Sequence, residues 1–143
     1  MSEAAHKGYE FFEHTADTGM RAYGKTLPEL FDRAAKGLVA LLVEDGQIRA
    51  KEQRPIALTA TSIEGMLEQW LRELLFWFST DRFLPACCTF DSLSSRELRG
   101  VVQGEPFDAA RHRPGTEVKG VTYHQFRVEQ TTTGWQAEVI FDV

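Results

Sequence analysis

The chain has 143 residues, 43% of them hydrophobic, with a formal net charge of −5 and a pI near 5.4. This length suits one domain that needs no disulfide or metal staple, and the acidic balance excludes a protein that grips nucleic acid through bulk positive charge. The opening MSEAAHKGYE has no apolar core of a secretion signal and no run of 18 apolar residues occurs anywhere, so a cytoplasmic protein without membrane contact is expected.

The aromatic-rich segment Tyr9 to Thr15 and the extended run Met20 to Tyr23 read as two strands around a turn. Thr26-Leu27-Pro28-Glu29 is a capping box with proline in the first helical turn. Leu27, Leu30, Phe31, Ala34, Leu38, Leu41 and Leu42 then recur at helical spacing until Glu44-Asp45-Gly46 closes the helix. From Ile48 to Thr61 the chain alternates, giving one or two strands, with Pro55 confining that strand to a sheet edge or a bulge. Thr61-Ser62-Ile63-Glu64 repeats the capping signal, and Ile63, Met66, Leu67, Trp70, Leu71, Leu74, Leu75 and Phe78 form the strongest apolar stripe in the chain.

Strand patterns follow at Phe83 to Leu93, Glu97 to Gly104, Glu117 to Glu129 and Trp135 to Phe141. In the last, Trp135, Ala137, Val139 and Phe141 alternate with Gln136, Glu138 and Asp142, and Ile140 interrupts the polar face. Thr132-Thr133-Gly134 is a hairpin turn, and Gly104 to Thr116 reads as a long polar loop. The fold class is α+β, a single domain with two long helices packed on a mostly antiparallel or mixed sheet. Residues 1–8 are expected as a flexible lead and 9–143 as the domain. Cys87 and Cys88, being adjacent, link no distant segments and read as small packing residues. Trp70, Trp77 and Trp135 read as core, Trp77 being the one expected at the surface.

Chemistry concentrates in few residues. Asp142 and a terminal carboxylate on Val143 would stand a few ångströms apart, and two such charges about 5 Å apart repel by roughly 3 kcal/mol at an effective dielectric near 20, enough to draw in a cation. Were Asp17 to join them, an all-oxygen cluster would suit Ca²⁺ or Mg²⁺ rather than zinc. His14, His112 and His124 raise the alternative of a metal-dependent hydrolase, although no HExxH, CxxC pair, GxSxG or P-loop is present.

Phe12-Glu13-His14-Thr15-Ala16-Asp17-Thr18-Gly19 with Leu27-Pro28-Glu29-Leu30-Phe31, Gly104-Glu105-Pro106 with Asp108 and Arg111-His112, Glu117 to His124, and the finish Gly134-Trp135 to Val143 closely resemble the archease family, in order and with similar spacing. Gly120, at a position more often alanine, and the Pro85 and Cys87-Cys88 region depart from the family pattern. The resemblance implies an archease or Hsp33-like domain whose Asp17, Asp142 and Val143 bind a divalent cation, calcium or magnesium, with manganese possible in a ligase complex. It implies functional or partner-facing roles for Lys119, His14, His124, Arg111 and His112, with Lys119 also a counter-ion to Asp142. The activity implied is that of a non-enzymatic accessory to an RtcB-type GTP-dependent RNA ligase in tRNA splicing or RNA repair, promoting guanylylation and multiple turnover. RNA would be met only through the ligase, and homo-oligomers are possible. A chaperone-like modulator of an RNA methyltransferase is the second reading, and a metal-dependent phosphohydrolase the third.

Overall fold

Helix α1 (Leu27–Leu42) begins where Thr26, in extended backbone, accepts a hydrogen bond from the Glu29 N–H, with proline in the first turn. Helix α2 (Ile63–Asp81) begins one residue later than its capping signal placed it, because Ser62 rather than Thr61 takes the cap and accepts from the Gly65 N–H at 3.0 Å. It ends at Arg82, whose left-handed φ of 60° turns the chain into the next strand. The strands are β1 (Tyr9–His14), β2 (Asp17–Gly24), β3 (Val43–Asp45), β4 (Glu52–Thr59), β5 (Phe83–Leu93), β6 (Glu97–Pro106), β7 (Arg113–Pro114), β8 (Gly120–Thr131) and β9 (Gly134–Asp142). This computed structural model describes residues 7–14, 17–45 and 47–143, without the side chains of His14, Asp45, Tyr123, His124 and Gln125.

The strands form a four-stranded sheet in the order β1-β2-β9-β8, a three-stranded sheet β4-β6-β5 and the short pair β3-β7, and every pairing is antiparallel. Both helices touch both larger sheets, α1 chiefly through β2 and β5 and α2 chiefly through β8 and β5. The core fills this space. Trp70 and Phe31 are wholly buried, the indole N–H of Trp70 donates to the Phe31 carbonyl at 2.9 Å, and Phe90 packs edge-on against both rings. Burying such rings with one satisfied N–H stabilises the fold by about 2 kcal/mol or more each and fixes how the helices meet.

On β9, Ala137, Val139 and Phe141 face the helices opposite Ala22, Met20 and Thr18 of β2, as the alternation requires. Ile140, on the other face, is also fully buried. Pro55 lies on β4, an edge strand, as expected of a residue without an N–H.

Several expectations change. Helix α1 stops at Leu42 and the chain runs extended through β3, because Gly115 and Thr116 donate to the carbonyls of Leu42 and Leu41 and so hold β7 beside it. The stretch from Gly104 to Thr116 is therefore only partly loop. A single strand occupies the Ile48 to Thr61 region. The cysteines are half-buried rather than core: Cys87 Sγ donates to Gln103 at 3.1 Å, and burial pushes the Cys88 thiol far above its ordinary range. Trp77 and Trp135 are both half-buried, and the exposed aromatic on α2 is Phe76, 58% accessible. No helix among the described residues is long and apolar enough to cross a membrane.

Candidate metal-binding edge

At one end of the four-stranded sheet, strand register brings together residues that are far apart in sequence. His14 pairs with Asp17 where β1 meets β2, Thr18 pairs with Phe141 in the last rung between β2 and β9, so that Asp17 and Asp142 each lie one residue beyond that rung, and Asp142 pairs with Gly120 of β8. Cross-strand partners share a face with Cβ atoms about 5 Å apart. The four positions therefore form one row on the face away from the helices. Lys119 closes it from the side, its backbone N–H donating to the Asp142 carbonyl at 2.7 Å.

The same face carries a second row with the opposite electrostatics. Glu10, Arg21, Glu138 and Arg127 alternate in sign across all four strands, with Arg21 Nε 3.3 Å and Arg127 3.1 Å from Glu138. Arg21 also lies 4.3 Å from the Phe12 ring, which covers Gly19. Here charge is balanced within the sheet. In the terminal row, by contrast, Asp142 is exposed and its carboxylate has no ion pair among the described residues.

The donor set at the terminal row is chemically suited to a hard cation. Asp17 is half-buried, Val143 packs partly against the core, and a side chain built at Gly120 would meet nothing within 4 Å, so the approach to Asp142 is open. Ca²⁺ and Mg²⁺ take carboxylate oxygens and keep waters, which an open edge admits. Among the described residues no three His, Cys, Asp or Glu side chains gather closely enough to hold an ion. Lys119 is exposed, and what it gives Asp142 is its backbone N–H.

Arg111 and His112 lie elsewhere, in a knot around Glu105 on β6. Glu105 is 2% accessible; one oxygen receives Arg111 and stands 3.9 Å from Lys51 Nζ, and the other accepts the Arg49 N–H at 2.6 Å with His112 Nε2 3.4 Å away. Burial pushes the Glu105 carboxyl up, but the Arg49 and Arg111 hydrogen bonds more than reverse this and leave it below its ordinary value. The Asp108 N–H donates to His112 Nδ1 at 2.9 Å, which puts the proton of the neutral ring on Nε2, facing the Gln47 carbonyl at 3.3 Å. Arg111 also reaches Asp108 and the Gln47 carbonyl. The hydrogen-bonding groups of both residues are thus used in tying the 107–112 segment to the 47–51 segment. The side chains of His14 and His124 lie outside the described residues.

Glu105 was not singled out by sequence reasoning. It stood only as part of the Gly104-Glu105-Pro106 motif, a lone acid near the end of a strand, with no role attached and nothing to announce the cations folded over it.

Comparison with known proteins agrees over nearly the whole chain. The model of the Archease protein family (MTH1598/TM1083) matches residues 9–143. The Protein archease of Methanosarcina acetivorans is 35% identical over 141 residues, covering 96% of this chain and 97% of that protein, and the Protein archease of Saccharolobus islandicus is 36% identical over 140 residues, covering 96% and 99%. The solution structure of Methanobacterium thermoautotrophicum protein 1598 superposes with a TM-score of 0.80 at 33% identity, covering 96% of this chain and 99% of that one. A crystal structure from Thermotoga maritima, described as an archease and possible chaperone, shares the fold at a TM-score of 0.60 and 21% identity, covering 92% and 94%. With the motifs, the helices on antiparallel sheets and the length all in agreement, the chain belongs to the archease family.

Proposed function

We propose that this archease is an accessory protein that activates an RtcB-type GTP-dependent RNA ligase, and that it does so through the acidic row of Asp17, Asp142 and the Val143 carboxylate. The observation that carries the reading is the register, which sets the start of β2 beside the last residues of β9 on an open face. A divalent ion held there, calcium or magnesium, would supply a focus of positive charge for a nucleotide's phosphates. The chain's own residues do the rest. Asp17 and Asp142 present oxygens from adjacent strands, the Lys119 N–H fixes the backbone of Asp142, and the Lys119 ammonium is left for an acidic or phosphate group of the partner. The net charge of −5 favours a partner whose cleft is built for RNA, and makes direct binding of RNA the weaker course. The words "possible chaperone" used of the Thermotoga maritima protein favour action on a partner protein in the same general way.

The test is multiple-turnover sealing of RNA ends by a purified RtcB-type ligase with the wild-type protein, with Asp142→Ala and with a variant carrying one added glycine after Val143. Both variants are expected to lose at least nine-tenths of the stimulation while melting within a few degrees of the wild type, since the changes are remote from the core. Full stimulation by both would overturn the proposed role of the acidic row.

A further inference from the structure

Along α2 the surface holds two open hollows. One, of about 560 Å³, lies between the second half of α2, Leu58 of β4 and the start of β8, and includes Phe76, Ser79 and Lys119. The other, of about 440 Å³, lies at the first turn of α2 beside Thr59 to Ser62. Gln69 lines both, so the two adjoin, and the larger forms a trough along the helix from Gln69 to Ser79. The rise along the helix from Gln69 to Ser79 is about 15 Å, the length of roughly four or five residues of extended chain. This shape fits an extended segment better than a small ligand.

The lining also specifies what such a segment carries. Leu58, Leu75 and Phe76 give an apolar floor, on which Phe76 is one of only two large exposed hydrophobic residues among the described residues. Arg72 is paired with Glu68 at 2.5 Å, whereas Glu73 and Lys119 have no ion pair among the described residues. One unpaired anion and one unpaired cation flank an exposed aromatic. The trough also meets the acidic row, because Lys119 and Gly120, which line it, are the residues that bond to and pair with Asp142.

From this geometry we infer that the α2 trough receives an extended peptide segment of the ligase, seating an apolar side chain on Leu58, Leu75 and Phe76, a carboxylate at Lys119 and a cation at Glu73. The inference rests on the proposed ligase partner and adds to it a division of labour. The trough sets affinity, and the acidic row sets what the bound protein does. Anchors of this kind carry most of the affinity of a protein interface.

The test titrates purified full-length RtcB-type ligase with wild type, Phe76→Glu and Ser79→Trp, reading Kd calorimetrically and sealing at saturating accessory protein. Both substituted residues are exposed, so both variants should melt as the wild type does. The inference predicts a Kd at least tenfold weaker for each variant, with sealing stimulation recovered at saturation, whereas Asp142→Ala stays inactive at saturation. Wild-type Kd for both variants, with the wild type still stimulating sealing, would overturn the trough and leave the proposed function standing. Failure of the wild type to bind or stimulate the ligase would overturn the proposed function and the trough's occupant with it.

Discussion

Glu105 and Asp142 each stand within one residue of the end of a β-strand, yet the fold treats their charges in opposite ways. Glu105 is buried, and both its oxygens are engaged by groups from two segments. Asp142 is exposed on a row with a second aspartate, its side chain without an ion pair among the described residues, and with space above its neighbour Gly120. A carboxylate that the protein surrounds with its own donors serves structure. One left beside another acid, with its face open, has its coordination left for something from outside.

Substitutions at the two positions should therefore separate stability from binding. The largest expected effect is Glu105→Gln, which leaves the Arg111 guanidinium only the exposed Asp108 as countercharge and takes the buried anion from among its cations; it should cost about 3 kcal/mol, a fall of roughly 10 °C in melting temperature for a chain of this length. The same pair gives a pH signature. Because the folded Glu105 carboxyl lies below its ordinary value of 4.5, its contribution is fully present above that pH and is lost as pH falls through the folded value. Denaturant titrations from pH 7 to pH 3 should show the wild type losing its advantage over Glu105→Gln on the acid side only; a gap between the two that is constant with pH would refute this role. Next in size is Asp142→Ala, expected to change stability by no more than about 0.5 kcal/mol as a surface change. A comparably small effect belongs to the balanced row: Arg127→Ala, 58% accessible at its side chain, should cost about 0.5 kcal/mol or less, shrinking further in 1 M salt. A loss of several kcal/mol would show that this row is more than surface charge balance.

Much of the fold was legible because it rests on periodicity. The stripe from Ile63 to Phe78, the Thr26 cap and the alternation of β9 each follow from local rules, and Pro55 marked an edge strand correctly. What was hidden depends on contacts between distant segments. The two-residue β7 and the extended β3 exist only because they meet, and neither has a pattern of its own. For the site, sequence supplied the residue types and the resemblance supplied Asp17, but only register could show that Asp17 and Asp142 both follow directly on the Thr18–Phe141 rung. Arg111 and His112, conspicuous in a polar segment, gave no sign that Glu105 would draw them inward.

The account turns on whether the row at the sheet's end takes up a cation, and calorimetric titration of the metal-free protein with Ca²⁺ tests it most directly. Wild type should bind one ion, Asp17→Asn and Asp142→Asn should each weaken that binding at least tenfold, and Glu105→Gln should bind as the wild type does at a temperature where it is folded. Binding by Asp142→Asn with the wild-type Kd would contradict the assignment of that row as the cation site.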